Sequence, residues 1–561
     1  MEAEANISTE STNPENVCPL RSTSRGTRSF FTPKLAAALD CAKATDRDAT
    51  RILIAAAEGF GECYGVDISD LILNRTSLQN YRGEFRREKG EQLSKNFKFP
   101  DADFLIVHWD GKLLPAITGN EKIDRIAILV THNGEEQLLG VPAIPSSSGF
   151  EQAKIVHTEL TNWNVAEKVQ AFCCDTTSSN TGHLSGACVH LEQLLERDCL
   201  LLACRHHVYE LVLKGIFEGL LGPTSGPDTP IFKRFKEAWD EIKSKNIKTG
   251  IRDAEVEKAI EDVKDNLVIF LKRSLEKKFA RDDYKEFLQL TLIFLGEVKE
   301  EDVKFSPPGP IHHARWMAKA IYSLKIFLFR EHFKLTKGEL NGIRIVCIFL
   351  VKLYVKAWFR VPFATEAPYQ DLKFLKDLHN FSLTVNKKAG VAGLKKFLGH
   401  LWYLNPELAA LGLFDSTVPY DIKEKMAKNI TSGEEDENIG VTIKKVTLYQ
   451  NQVPEYMEKE LDYFVSPESL NLFKRINLKP TFLNQNPKIW EKDANFSAAK
   501  KFFEKLSVVN DSAERGVKLI SEYNTILTKD EDQKQFILKI VKDYREQFPK
   551  VTKNVLEKSF L

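Results

Sequence analysis

Two aspartates, each placed where an apolar run gives out, are the residues of this sequence best suited to chemistry. Asp110 follows FLIVHW, and Asp175 follows AFCC and opens the polar stretch DTTSSN. Carboxylates at neighbouring strand ends are hard oxygen donors that bind a divalent cation such as Mg²⁺ or Mn²⁺. Such a pair serves phosphoryl transfer, with two metals about 4 Å apart activating the attacking oxygen and steadying the leaving one, and a third acidic residue usually completes the set. Both residues also have plainer readings. Asp110 before Gly111 can be a turn, and Asp175 can begin a capping loop with Asn180 or Thr181 as a helix N-cap.

The elements that must position them are legible as changes of period. FLIVHWD (104–110), RIAILVTH (125–132) and QLLGVPAI (137–144) are short β-branched runs. Asn133-Gly134 between the second and third marks a tight hairpin. GFEQAKIVHTELTNWN then reads as a helix, VQAFCCD as a strand and HLSGACVHLEQLLER as a helix. CLLLACRHHVYELVLKGIF reads as a strand passing into a helix. The order β-β-β-α-β-α-β predicts an α/β sheet of mixed direction. In that order the first strand is expected between the third and fourth, so Asp110 and Asp175 fall on neighbouring strand ends.

Before the sheet, residues 1–31 read as a polar tail and 32–100 as a small helical domain, with Thr32-Pro33 and Thr45 starting helices and a third helix from near Thr76. Residues 101–227 form the first part of the sheet domain. After the break GPTSGP (222–227) the pattern is helical: an insertion over 228–494, then 495–561, a closing helix with further C-terminal helices. In the N-terminal domain Arg82, Arg86 and Arg87 lie within two helical turns and could contact phosphate; a solvated amphipathic face is the plainer alternative.

Composition narrows the class. Over 561 residues, 79 basic side chains nearly cancel 78 acidic ones, so global charge is silent on nucleic acid. The first residues carry no apolar core of a signal peptide, and the run 343–359 is interrupted by Lys352 and Lys356, so no membrane partner is expected. Nine scattered cysteines fit a reducing compartment better than a disulfide framework. Cys204, His206 and His207, with Cys199 and Cys173-Cys174 near in sequence, lack the spacing of four converging zinc ligands.

Taken together, Asp110 after strand one, Asp175 in DTTSSN after strand four, and the Cys204-x-x-His207 pair in LLLACRHHVYEL resemble the RNase H-like core of the hAT family of DNA transposases. The long helical insertion after strand five, Arg315-Trp316 in HHARWMAKAIYSLKIF, and Glu514-Arg515 in DSAERGVKLI extend the resemblance over about residues 101–524. It implies an RNase H-like fold and a DDE triad of Asp110, Asp175 and Glu514 that holds Mg²⁺ or Mn²⁺ and cuts and joins DNA. It places Cys204 and His207 as supports of the site and Trp316, beside Arg315, as a stacking platform for an unpaired base. DNA partnership, a homo-oligomer, nuclear residence and no small-molecule cofactor follow from the same likeness. A catalytically silent transposase-derived scaffold is the alternative. One departure is plain: only Cys18, Cys41 and Cys63 precede the sheet, with no histidine, so the family's N-terminal zinc finger has no counterpart.

Overall fold

The computed structural model describes residues 28–65, 67–97, 103–115, 122–223, 229–277, 279, 281–298, 304–308, 315–432, 444–511, 513 and 530–547. The fold is mixed α/β, with one five-stranded sheet among many helices.

Three helices come first: α1 (Pro33–Cys41), α2 (Asp46–Tyr64) and α3 (Arg75–Asn96). Each begins on a side chain that accepts a backbone N–H of its first turn, Thr32 for α1, Thr45 for α2 and Asn74 for α3. Gly65, at φ 65°, closes α2 in the left-handed conformation that glycine takes without a Cβ penalty. Around Phe31, Leu39, Ala49 and Leu78 these helices bury a small core of their own.

The strands are β1 (Leu105–Pro115), β2 (Lys122–His132), β3 (Glu135–Gly140), β4 (Val169–Cys173) and β5 (Leu200–Leu201). Asn133 and Gly134 both take positive φ, the two-residue turn that the Asn-Gly pair predicts. The sheet order is β3-β2-β1-β4-β5, with β1–β2 and β2–β3 antiparallel and β1–β4 and β4–β5 parallel. The first strand therefore lies between the second and the fourth, not between the third and the fourth. The neighbourhood that matters, β1 beside β4, is kept. Helices α4 (Gly149–Asn162), α5 (Ser178–Thr181), α6 (Ala187–Leu195) and α7 (Arg205–Leu221) lie between and after the later strands.

The helices between residues 230 and 503 share one continuous apolar core with the sheet. Arg205, at the start of α7, is fastened to the helix Ala367–Thr384 by an ion pair of 2.6 Å with Asp371. The Tyr403 hydroxyl donates to the Ala203 carbonyl at 2.8 Å. The helix Glu531–Gln547 closes the structure. Gln535 exchanges two hydrogen bonds with the Val141 backbone, at 2.8 and 2.9 Å, and the Phe536 ring fits against Gly90 of α3 so closely that a Cβ there would meet it at 2.4 Å. One helix thus staples the N-terminal helices to the sheet edge. No helix among the described residues is long and apolar enough to cross a membrane.

Candidate acidic site at the β1–β4 junction

The parallel pairing of β1 with β4 ends at His108↔Cys173. Past that point β4 leaves the sheet, while β1 runs on to Pro115 because β2 stays paired with it throughout, Asp110 standing opposite Ala127. Asp110 is therefore inside a strand, not at its end as the Asp-Gly pair suggests. It is 7% exposed. Carrying the β1–β4 register on by two residues brings Asp110 level with Asp175, at the place where the two chains diverge.

Asp175 does part of the plainer job as well. Its Oδ1 accepts from the Thr177 N–H (2.9 Å), the Thr177 hydroxyl (2.6 Å) and the Asn180 amide (2.7 Å), which folds the polar run into a capping turn. The N-cap of α5 is Thr177 and that of α6 is Gly186, so neither Asn180 nor Thr181 serves as one. Asn180 instead bridges: its Oδ1 accepts the Trp109 indole N–H at 2.9 Å.

The supporting residues differ from expectation. Strand β5 spans only Leu200–Leu201, so Cys204 is not on it and sits at the cap of α7, buried. Its Sγ accepts the Asn510 N–H at 3.2 Å, and burial pushes its thiol pKa well above the ordinary range, so it is a core group and not a nucleophile. His207 lies 3.8 Å from Glu210 on its own helix. The histidine that ties down the edge of the site is its neighbour His206, whose Nδ1 meets Asp511 Oδ1 at 2.8 Å and whose ring stacks on Trp358 at 3.8 Å. Asp511 also accepts from the Tyr284 hydroxyl at 2.9 Å. Burial alone would raise the Asp511 pKa; the charge and hydrogen bond of His206, with the Tyr284 bond and Arg281, outweigh it and hold it at about 2. Both Asp511 oxygens are thus committed to the protein.

Asn510 reaches from the same segment to the Trp109 carbonyl, its amide donating at 2.7 Å. Beneath it His108, fully buried, bonds Thr131 through Nε2 at 2.9 Å. Burial drives the His108 pKa down from 6.5 to about 4, and the Asn510 side chain offsets only part of that. The folded protein refuses a proton that the unfolded chain accepts, so stability is complete above pH 6.5 and falls as pH drops toward 4. At roughly 1.4 kcal/mol per pKa unit, urea unfolding should be about 2–3 kcal/mol easier at pH 4.5 than at pH 7 through this residue. A His108→Gln variant should lose that part of the slope; an unchanged slope would refute the assignment.

Among the described residues no group of three or more His, Cys, Asp or Glu side chains is arranged to hold a metal ion. Glu514 lies outside the described residues, and so do the side chains of Arg315 and Trp316, which begin the helix Arg315–Leu328. The Asp110–Asp175 pair is nonetheless of the kind Mg²⁺ takes: one or two carboxylates, completed by water and substrate phosphates. With Oδ1 of Asp175 saturated by three donors, that residue would offer Oδ2.

The expected phosphate contacts of the N-terminal helices fail for two arginines of three. Arg82 and Arg86 are 0% and 3% exposed, and both close on Asp40, Arg82 through Nη2 and Arg86 through Nη2 at 2.6 Å each. They hold α3 to α1 and cannot reach a nucleic acid. Arg87 is exposed, beside Glu84 at 3.9 Å. Trp109, Asn510, Tyr284 and Asp511 escaped the sequence reading, and Asn180 and His206 entered it in other roles, because the partners of these residues lie up to 401 positions away. No model of a known protein family matches the chain, and no match to a curated protein is found.

Proposed function

We propose that this chain is a DNA-binding protein with an RNase H-like core of the hAT transposase type, cleaving and joining DNA strands with Mg²⁺ or Mn²⁺ through Asp110, Asp175 and Glu514. The observation that supports the reading is the parallel β1–β4 register, which ends at His108 against Cys173 and, carried on by two residues, brings Asp110 level with Asp175 just past the end of β4. The β3-β2-β1-β4-β5 order and the long helical insertion between α7 and the Asn510 segment are in keeping with it. A divalent cation bound there would polarise phosphoryl oxygens and lower the pKa of an attacking water or 3′-hydroxyl. The protein's share is to hold the two carboxylates in place, with Glu514 as the third and Trp316, flanked by Arg315, to stack on an unpaired base at the cut end. Nuclear residence and self-association belong to the same proposal.

The test is nicking of supercoiled DNA by the full chain with Mg²⁺ or Mn²⁺. Asp110→Asn and Asp175→Asn should each lower the rate at least tenfold while the melting temperature stays put. A second reading, a catalytically silent scaffold that binds DNA or protein, has one observation in its favour: Asp175 already has structural work in the capping turn. No nicking by the wild type, with DNA binding that is steep in salt yet indifferent to Mg²⁺, would select it.

A further inference from the structure

A chain of hydrogen bonds links Asp175 to Trp109, the residue that precedes Asp110 on β1. The Asn510 amide donates to the Trp109 carbonyl (2.7 Å), the Trp109 indole N–H donates to Asn180 Oδ1 (2.9 Å), and the Asn180 amide donates to Asp175 Oδ1 (2.7 Å). Trp109, Asn180 and Asn510 are 0%, 5% and 7% exposed, so water does not compete for the first two bonds, and the third ends on the half-buried Asp175. The Trp109 carbonyl belongs to the peptide that leads into Asp110. Side chains alternate along a strand, so the relay grips β1 through Trp109 from the face opposite to the one Asp110 projects from.

The chemistry at position 180 admits few residues. An indole N–H only donates and an ionised carboxylate only accepts. The side chain between them must therefore present an acceptor to Trp109 and a donor to Asp175 at short reach, which asparagine does. Aspartate there would set carboxylate against carboxylate; leucine would leave the buried indole N–H and one Asp175 bond unmet.

We propose that Asn180, Trp109 and Asn510 are positioning residues that fix the separation of Asp110 and Asp175 before a cation arrives. This rests on the reading of that pair as a metal site. Outer partners of metal ligands characteristically change affinity by about 10–100-fold when removed, because the ligands then have to be ordered at the moment of binding.

The experiment is titration of the full chain with Mn²⁺ alone, following the free ion by electron paramagnetic resonance, with circular dichroism to confirm folding at the same temperature. Wild type should bind Mn²⁺, and Asp110→Asn should abolish the binding. Asn180→Leu should raise the dissociation constant at least tenfold in protein that remains folded. Trp109→Phe, which keeps an aromatic ring against Phe172 and deletes only the donor, should raise it severalfold and covers the case in which Asn180→Leu does not fold. A role confined to stability would lower the melting temperature and leave the Mn²⁺ constant of the folded protein unchanged; that outcome overturns the relay while leaving the metal site standing. Absence of Asp110-dependent Mn²⁺ binding in the wild type overturns both.

Discussion

Asp40→Ala is expected to destabilise the N-terminal helices by about 3–5 kcal/mol, toward the lower figure, since breaking a buried ion pair from one side strands the remaining charge. Asp40 is fully buried and serves two guanidinium groups at once. Its Oδ1 accepts from Arg82 Nε (3.1 Å), Arg82 Nη2 (2.6 Å) and Arg86 Nη2 (2.6 Å), and its Oδ2 from Arg86 Nε (2.8 Å). Arg82 would keep Asp46, at 2.6 Å, and the Ala44 carbonyl, which is why the loss should not reach the top of the range. Arg86 would keep no carboxylate among the described contacts. Denaturant unfolding followed by hydrogen exchange should show α1 and α3 losing protection first. Arg87→Ala, at an exposed contact with Glu84, should cost under about 1 kcal/mol. Equal losses from the two changes would refute this account of Asp40.

Asp371→Ala should cost about 3–5 kcal/mol for the same reason, with a different reach. Arg205 and Asp371 are 1% and 2% exposed, and the guanidinium also donates to the Val361 carbonyl at 2.8 Å while lying over the Tyr403 ring at 5.5 Å. The Tyr209 hydroxyl supplies a further donor to Asp371 at 3.3 Å. Because the pair joins α7 to the helix Ala367–Thr384 inside the shared core, its loss should lower the midpoint of the main unfolding transition. The double change Arg205→Met with Asp371→Leu removes both charges and should recover most of the loss. A double variant as unstable as Asp371→Ala alone would show that packing, not the stranded charge, sets the effect.

What was legible in the sequence was local. The caps Thr32 and Thr45, the Asn133-Gly134 turn and the alternation of strands with helices are written within a few residues of one another, and the structure carries them. What was not legible depends on partners far along the chain. Asp110-Gly111 looks like a turn because its window does not show that β2 pairs beyond it. Arg82 and Arg86 look like a basic face because Asp40 lies 42 and 46 residues away. His206 and His207 were separable only by helix phase: successive residues point about 100° apart, and a strand as short as β5 lets the helix start at Arg205. One of the pair then faces Asp511 and the other Glu210.

The bond from Asn510 to Trp109 joins residues 401 apart, and that distance has a meaning in time. A ribosome adding 5–20 residues per second needs roughly 20–80 s to pass from one to the other. For most of that interval, once residue 173 has been added, the growing chain holds β1 and β4 but lacks the segment that closes over them, so the acidic pair of a nascent chain is unfinished. Completion waits for the segment around Asn510, and a chain cut short before that residue never assembles this junction.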